Sequence, residues 1–349
     1  MKIFKKFLKN IILALAGICL AIFLAEIFVR IFYPESRDHV LPSGLYENDR
    51  YLGWKLSKEK SANHHSKFFN VNYTTNSFGF RDKKRIIQKE NEKYRILLYG
   101  DSQIFGWGNP AEIRFSNLLE KSLPNVEIWN LAVPAYGLDQ QILSYQRDAV
   151  DADAVIFFVS EYTVDRIKYE YVYKKYKPKF VNDHSGKLKV ILPKEPTAIK
   201  SFIDNSIKWM YLPFFLEKRF YSSSLNVSIY KEKTDSNKPK METNDLVNKL
   251  LLMARDIANH RDDTIIILCS NPYLGSKNLE DFCIQSNIGY FEINLDDKKN
   301  EFIISGEDGH WNSKANEIIF RQLLPEIKKL TSIKSNFLSQ RIFYNNTIR

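Results

Sequence analysis

From Ile11 to Val29 the chain is almost unbroken apolar sequence, interrupted only by Glu26 near its far end. About 20 such residues, at 1.5 Å each, cross the hydrocarbon core of a bilayer as a helix. Lys2, Lys5, Lys6 and Lys9 precede it, which predicts a cytoplasmic N-terminus and an extracytoplasmic remainder, in the periplasm or at the cell surface. A cleaved signal peptide has the same charged start and apolar middle. The run is long for a signal, and no clear small-x-small site follows Ala25, so the expectation is an uncleaved single-pass anchor whose partner is the lipid bilayer.

The remainder is globular in character: of 349 residues, 44% are hydrophobic and 14% aromatic, enough for one large domain or two ordinary ones. The formal charge of +10 does not point to nucleic acid, because the Lys and Arg are dispersed and interleaved with Asp and Glu. Three cysteines, Cys19, Cys269 and Cys283, are too few for a disulfide framework.

Residues 31–92 are polar and aromatic with short strand character, as at Tyr51–Trp54 and Phe68–Tyr73, and with a turn at Asn76–Arg81. They are expected to pack on the main domain; the plainer alternative is a stalk. From Tyr94 the pattern alternates. Strands are predicted at Arg95–Tyr99, Val126–Leu131, Ala154–Val159, Thr264–Cys269 and Gly289–Ile293. Helices are predicted at Arg114–Ser122, Leu138–Val150, Asp245–Ala258, Leu279–Ser286 and Ser313–Leu330. Such alternation implies a parallel sheet covered on both faces. This main domain is expected over 93–331, with a C-terminal tail at 332–349. Residues 166–243 interrupt it with a predicted hairpin (Lys179–Val181 with Lys187–Ile191), a helical aromatic stretch (Ile199–Phe220) and a polar loop (Lys231–Lys240). An insertion there can act as a lid or merely decorate the surface.

The first predicted strand runs into Gly100-Asp101-Ser102. Alone this tripeptide is ordinary turn chemistry. Ligand sites in open α/β sheets nevertheless lie beyond the carboxyl ends of the strands, which makes Ser102 a candidate nucleophile. Its base would be His310, in the loop Gly306-Glu307-Asp308-Gly309-His310-Trp311-Asn312 after the last strand, with Asp308 two residues earlier to take the imidazole N–H. Asp101, adjacent to the nucleophile, is read as pinning the turn rather than as the acid.

Gly100-Asp101-Ser102-Gln103, Phe105-Gly106-Trp107-Gly108, the stretch Asn130–Gln141 and Asp308-Gly309-His310-Trp311-Asn312 together resemble the SGNH/GDSL hydrolase superfamily. Gly53-Trp54 and Asn76-Ser77-x-Gly79-x-Arg81 are similar to the membrane-proximal segment of its anchored bacterial members. The resemblance covers roughly residues 50 to 330. It implies a flavodoxin-like three-layer α/β/α fold and ester cleavage or acyl transfer without a metal or other cofactor. Ser102 would be the nucleophile, His310 the base and Asp308 its partner. The sequence departs from the pattern twice. Ala135 stands where a glycine usually supplies an oxyanion N–H. Glu161 stands where an asparagine side chain is usual, with Ser160 beside it as a substitute donor. The expected function is a membrane-anchored serine esterase or O-acyltransferase acting on acyl esters, with surface polysaccharide as substrate class by analogy. The alternative is an SGNH-fold carbohydrate-binding module in which Glu161 has weakened turnover.

Overall fold

In the computed structural model, Lys2–Phe32 form one continuous helix, α1, whose apolar side chains are almost all exposed. By length and composition it can cross a membrane. The structure describes residues 2–37, 40–90, 92–148, 150–173, 175–207, 209–221, 243–271, 276–295, 301–306 and 308–346. The Lys231–Lys240 loop lies outside them.

Two antiparallel hairpins follow: β1 (Tyr46–Asp49) with β2 (Gly53–Leu56), and β3 (Ser61–His65) with β4 (Asn70–Thr74). Their alternate residues Trp54, Leu56, Val71 and Tyr73 are buried in the same core as the main sheet. Polar anchors reinforce this. Trp54 Nε1–H donates to the Pro134 carbonyl at 3.2 Å, and the Arg81 guanidinium donates to the carbonyls of Phe105, Gly106 and Asn109 at 3.0, 2.7 and 2.6 Å. Burial pushes the Arg81 pKa down to about 9.

The main domain then runs β5 (Tyr94–Tyr99), α2 (Ser102–Phe105), α3 (Phe115–Ser122), β6 (Val126–Asn130), α4 (Leu138–Asp148) and β7 (Ala154–Val159). A short helix, α5 (Glu161–Arg166), leads into the insertion. The insertion holds hairpins β8 (Tyr171–Val172) with β9 (Lys175–Tyr176) and β10 (Lys179–Asn182) with β11 (Leu188–Ile191), then α6 (Ala198–Ile207) and α7 (Leu212–Tyr221). The chain returns through α8 (Thr243–Arg261), β12 (Thr264–Asn271), α9 (Ser276–Gln285), β13 (Gly289–Asn294) and α10 (Ser313–Asn346).

All five long strands pair in parallel in the order β13-β12-β7-β5-β6. Relabelled by appearance this is 2-1-3-4-5, the flavodoxin-like order, with its switch point between β5 and β7. The central strand β7 is buried at every position, as its uninterrupted apolar run requires. On one face α3 packs with α10; on the other α4 packs with α8. The sheet class, strand positions and covering helices match the sequence reading. Two details differ. The Ile199–Phe220 stretch is two helices, with Pro213 in the first turn of α7, where a missing N–H costs nothing. The last helix continues past Leu330 and carries Pro325 within it.

Two buried ion pairs root the insertion in the sheet domain. Lys177 bonds Asp139 in the first turn of α4, with both side chains almost fully enclosed. Burial pushes the Lys177 pKa down and that of Asp139 up, and their attraction opposes both shifts. Lys177 also donates to the Pro178 carbonyl at 2.7 Å. The second pair, Arg166 with Asp101, belongs to the site. Lys177→Met should therefore cost about 3–5 kcal/mol by leaving the Asp139 carboxylate uncompensated, and the double variant Lys177→Met/Asp139→Leu should recover most of it. Thermal unfolding in detergent reads both; equal loss in the single and double variants would contradict the pairing argument.

Candidate active site

β5 stops where an added side chain no longer fits: a Cβ on Gly100 would meet Ile104 Cγ1 at 2.3 Å. Asp101 follows in extended conformation and caps α2, its Oδ1 accepting the Gln103 N–H at 2.9 Å. Ser102 is thereby the first residue of a one-turn helix that ends at Gly106, in the left-handed region at φ 79°.

The loop carrying His310 comes from the far end of the chain. Ile303 bridges Trp311, Ile304 N–H donates to the His310 carbonyl at 2.8 Å, and Ser305 Oγ accepts the Asp308 N–H at 3.0 Å. This holds Asp308 buried with its carboxylate turned back on His310. Asp308 Oδ1 lies 2.6 Å from His310 Nδ1 and accepts the His310 backbone N–H at 3.1 Å; His310 Nε2 lies 2.8 Å from Ser102 Oγ. The three side chains form one hydrogen-bonded line. With Nδ1–H donating to the carboxylate, Nε2 is left as acceptor for the serine hydroxyl. His310 is 23% exposed and Asp308 1%, so the imidazole edge meets solvent while its carboxylate does not.

Neighbours hold this line in place. The Trp107 ring stacks on His310 (centroids 5.0 Å apart, planes at 19°), and its Nε1–H donates to Asp308 Oδ2 at 3.2 Å. Behind Trp107, His64 of β3 packs edge-on at 4.8 Å, and His64 Nδ1 lies 3.2 Å from the Tyr73 hydroxyl. The hairpins before the main domain thus form the back wall of the site. Gln103 clamps the two loops together: its Oε1 accepts the Trp311 N–H at 2.9 Å and its Nε2 donates to the Gly309 carbonyl at 3.2 Å. On the other side Arg166 donates to Asp101 Oδ2 at 2.8 Å and to the Tyr136 carbonyl at 3.1 Å. Burial pushes the guanidinium pKa down, but Tyr173 and the Asp101 carboxylate together hold it above its ordinary value.

The loop after β6 runs beside the Ser102 turn, with Val133 N–H donating to the Gly100 carbonyl at 3.1 Å. Ala135 lies in this loop at φ 69°, the left-handed region that favours glycine. The backbone N–H groups of Ser102 and Ala135 have no hydrogen-bond acceptor among the described residues. Parallel pairing of Tyr99 with Phe157 carries Ser160 and Glu161 past the same sheet edge. Ser160 caps α5, accepting the Thr163 N–H at 3.3 Å, while Thr163 Oγ1 accepts the Ser160 N–H at 2.8 Å. Glu161 is exposed in the first turn of α5. It is not the buried carboxylic acid that hydrogen-bond donation to an oxyanion would need. Among the described residues no group of three or more His, Cys, Asp or Glu side chains is placed to hold a metal.

The structure therefore brings Ser102, His310 and Asp308 together and sets Ala135 on a loop tied to the Ser102 turn. Arg166, the Gln103 clamp and the Trp107–Asp308 bond had no part in the sequence reading. Only Gln103 and Trp107 stood in stretches already singled out there; nothing local marks Arg166.

No protein-family model and no curated protein matches the sequence. Among solved structures the chain is similar to a lipolytic protein of the G-D-S-L family from Veillonella parvula, with 12% identity and a TM-score of 0.37 over 66% of this chain and 97% of that one. It is also similar to a family 3 carbohydrate esterase from Clostridium thermocellum, with 9% identity and a TM-score of 0.33 over 69% of this chain and 98% of that one. The chemistry has to come from the side chains.

Ala135→Gly removes a Cβ from a left-handed backbone and should stabilise the protein by about 0.5–1 kcal/mol. A raised unfolding midpoint checks this, and an unchanged or lowered one would contradict the strain assigned to Ala135.

Proposed function

We propose that this chain is a membrane-anchored serine esterase or O-acyltransferase, with α1 as the anchor, its N-terminus in the cytoplasm and the α/β domain outside it. The observation that carries the chemistry is the Ser102–His310–Asp308 line, at 2.8 and 2.6 Å. Both links are within the reach that proton transfer requires.

In this reading His310 Nε2 takes the Ser102 proton as Oγ bonds to an ester carbonyl carbon. Asp308 stays ionised, fixes the tautomer and stabilises the imidazolium. The carbonyl electrons move onto oxygen, which faces the unpartnered N–H groups of Ser102 and Ala135. Collapse breaks the bond to the alcohol, which leaves with the proton from Nε2, and an acyl-serine remains. Water then bonds to the acyl carbon as His310 Nε2 takes its proton, the Oγ–acyl bond breaks as that proton passes to Ser102, and the acid leaves; a sugar hydroxyl in place of water gives the transferase. Both outcomes share one acyl-enzyme. Acyl or acetyl esters of cell-surface carbohydrate are the proposed substrates, by extracytoplasmic location and by resemblance to anchored members of the superfamily. The exposed Glu161 carboxylate is hydrated, so its repulsion of a developing oxyanion is screened. A binding module would need neither the serine–histidine bond nor the buried carboxylate behind it.

A fluorophosphonate probe should label the full-length protein in detergent, and Ser102→Ala should abolish the label. Absence of labelling, together with absence of p-nitrophenyl acetate turnover, would overturn the proposal. Trp107→Phe keeps the stacked ring but deletes a hydrogen bond to the buried Asp308 carboxylate, of a kind worth about 1.5–3 kcal/mol. Labelling should slow by about tenfold or more. An unchanged rate would mean that Trp107 does not position the acid.

A further inference from the structure

Outside α1, exposed apolar surface concentrates on the two insertion helices. In α6, Ile199, Phe202 and Ile203 are 74%, 73% and 49% exposed and lie on one stripe at i, i+3 and i+4. In α7, Leu216 and Phe220 are 41% and 71% exposed, one turn apart, and Trp209 between the helices is 58% exposed. Lys218 and Arg219 stand exposed beside them. A soluble domain does not ordinarily leave so many large side chains together in water.

The position of this surface identifies what covers it. The N-terminus of α7 is fastened to the end of α1. Glu26 of α1 accepts the backbone N–H groups of Tyr211 and Leu212, each at 2.8 Å. Arg30 bonds Glu26 at 2.7 Å and donates to the Trp209 carbonyl, also at 2.7 Å. The Tyr33 and Phe215 rings meet at 4.7 Å. Glu26 and Arg30 occupy the last turns of the helix, where its apolar run gives way to charge. If α1 spans the bilayer, that is the depth of the headgroup boundary. Trp209, docked on it, then lies at the level tryptophan prefers, and Lys218 and Arg219 lie where anionic headgroups attract cations.

We propose that the exposed face of α6 and α7 lies in the headgroup boundary of the leaflet from which α1 emerges, with the bilayer as its occupant. The chain would then hold the membrane at two places: a spanning helix and a helix pair lying along the surface. The inference rests on the proposed reading of α1 as a spanning anchor.

The test uses the full-length protein in vesicles of phosphatidylcholine and phosphatidylglycerol brominated at shallow or deep acyl positions. Of the five tryptophans, Trp54, Trp107, Trp129 and Trp311 are buried, so Trp209 is the one that lipid bromine can reach. The expected result is loss of part of the emission, greater with shallow than with deep bromine, and disappearance of that loss in Trp209→Phe. Flotation with the vesicles and resistance to alkaline carbonate, without Trp209-dependent quenching, would overturn the proposal and leave the anchor reading intact. Failure to float would overturn both. Disulfide crosslinking of Phe202→Cys between copies, without quenching, would make a second copy the occupant and overturn the bilayer.

Discussion

The buried Arg166 guanidinium is the point on which three otherwise separate segments converge. Its Nη1 donates to Asp101 in the Ser102 turn and to the Tyr136 carbonyl in the loop after β6, and its Nη2 reaches the Tyr173 hydroxyl at 3.5 Å in the insertion. The Asp101 side chain is 2% exposed, and in the same turn it caps the helix that begins with Ser102. A charge buried in this way has few tolerable arrangements. Removing either partner leaves an uncompensated ion costing about 3–5 kcal/mol, so the pair fixes where the turn, the loop and the insertion must meet. The Ser102 turn and the Ala135 loop are held relative to each other by this pair and by the Val133–Gly100 backbone bond.

Much of the fold was legible because its signals are local. The Ala154–Val159 run is apolar without alternation, which only a strand covered on both faces can use, and β7 is buried at every position. Helix and strand periods likewise located α3, α4 and α8. The Ser102–His310 pairing was reached from topology, since both loops follow strands of one parallel sheet and so share an edge, and from the motif resemblance. What stayed hidden was chemistry between side chains on different loops. The Gln103 clamp on Trp311 and Gly309, and the Trp107 bond to Asp308, are set by three-dimensional position that neither periodicity nor turn propensity encodes. Arg166 was harder still, since an arginine ending a short helix reads as an ordinary solvated charge. Ala135 shows the converse case. The sequence marked it as a departure, and its positive φ gives the physical reason a glycine would suit that place.

The segments flanking the sheet domain share the work of supporting the site. The early hairpins supply His64 and Tyr73 behind Trp107, and the insertion supplies Tyr173 against Arg166 and Lys177 against Asp139. The insertion reaches in the opposite direction too, through Glu26 and Arg30, to the end of α1. The insertion thus makes polar contacts with the Ser102 turn near its start and with the apolar helix further along its chain.

Ser102 and His310 are separated by 208 positions, and the serine comes first. At synthesis rates of about 5–20 residues per second, Ser102 precedes His310 by roughly 10 to 40 s. During that interval an emerging chain carries Ser102 without the imidazole that lies against it in the folded protein. The Ser102–His310–Asp308 line is therefore completed late in synthesis, and no nascent fragment that stops short of the final loop carries it.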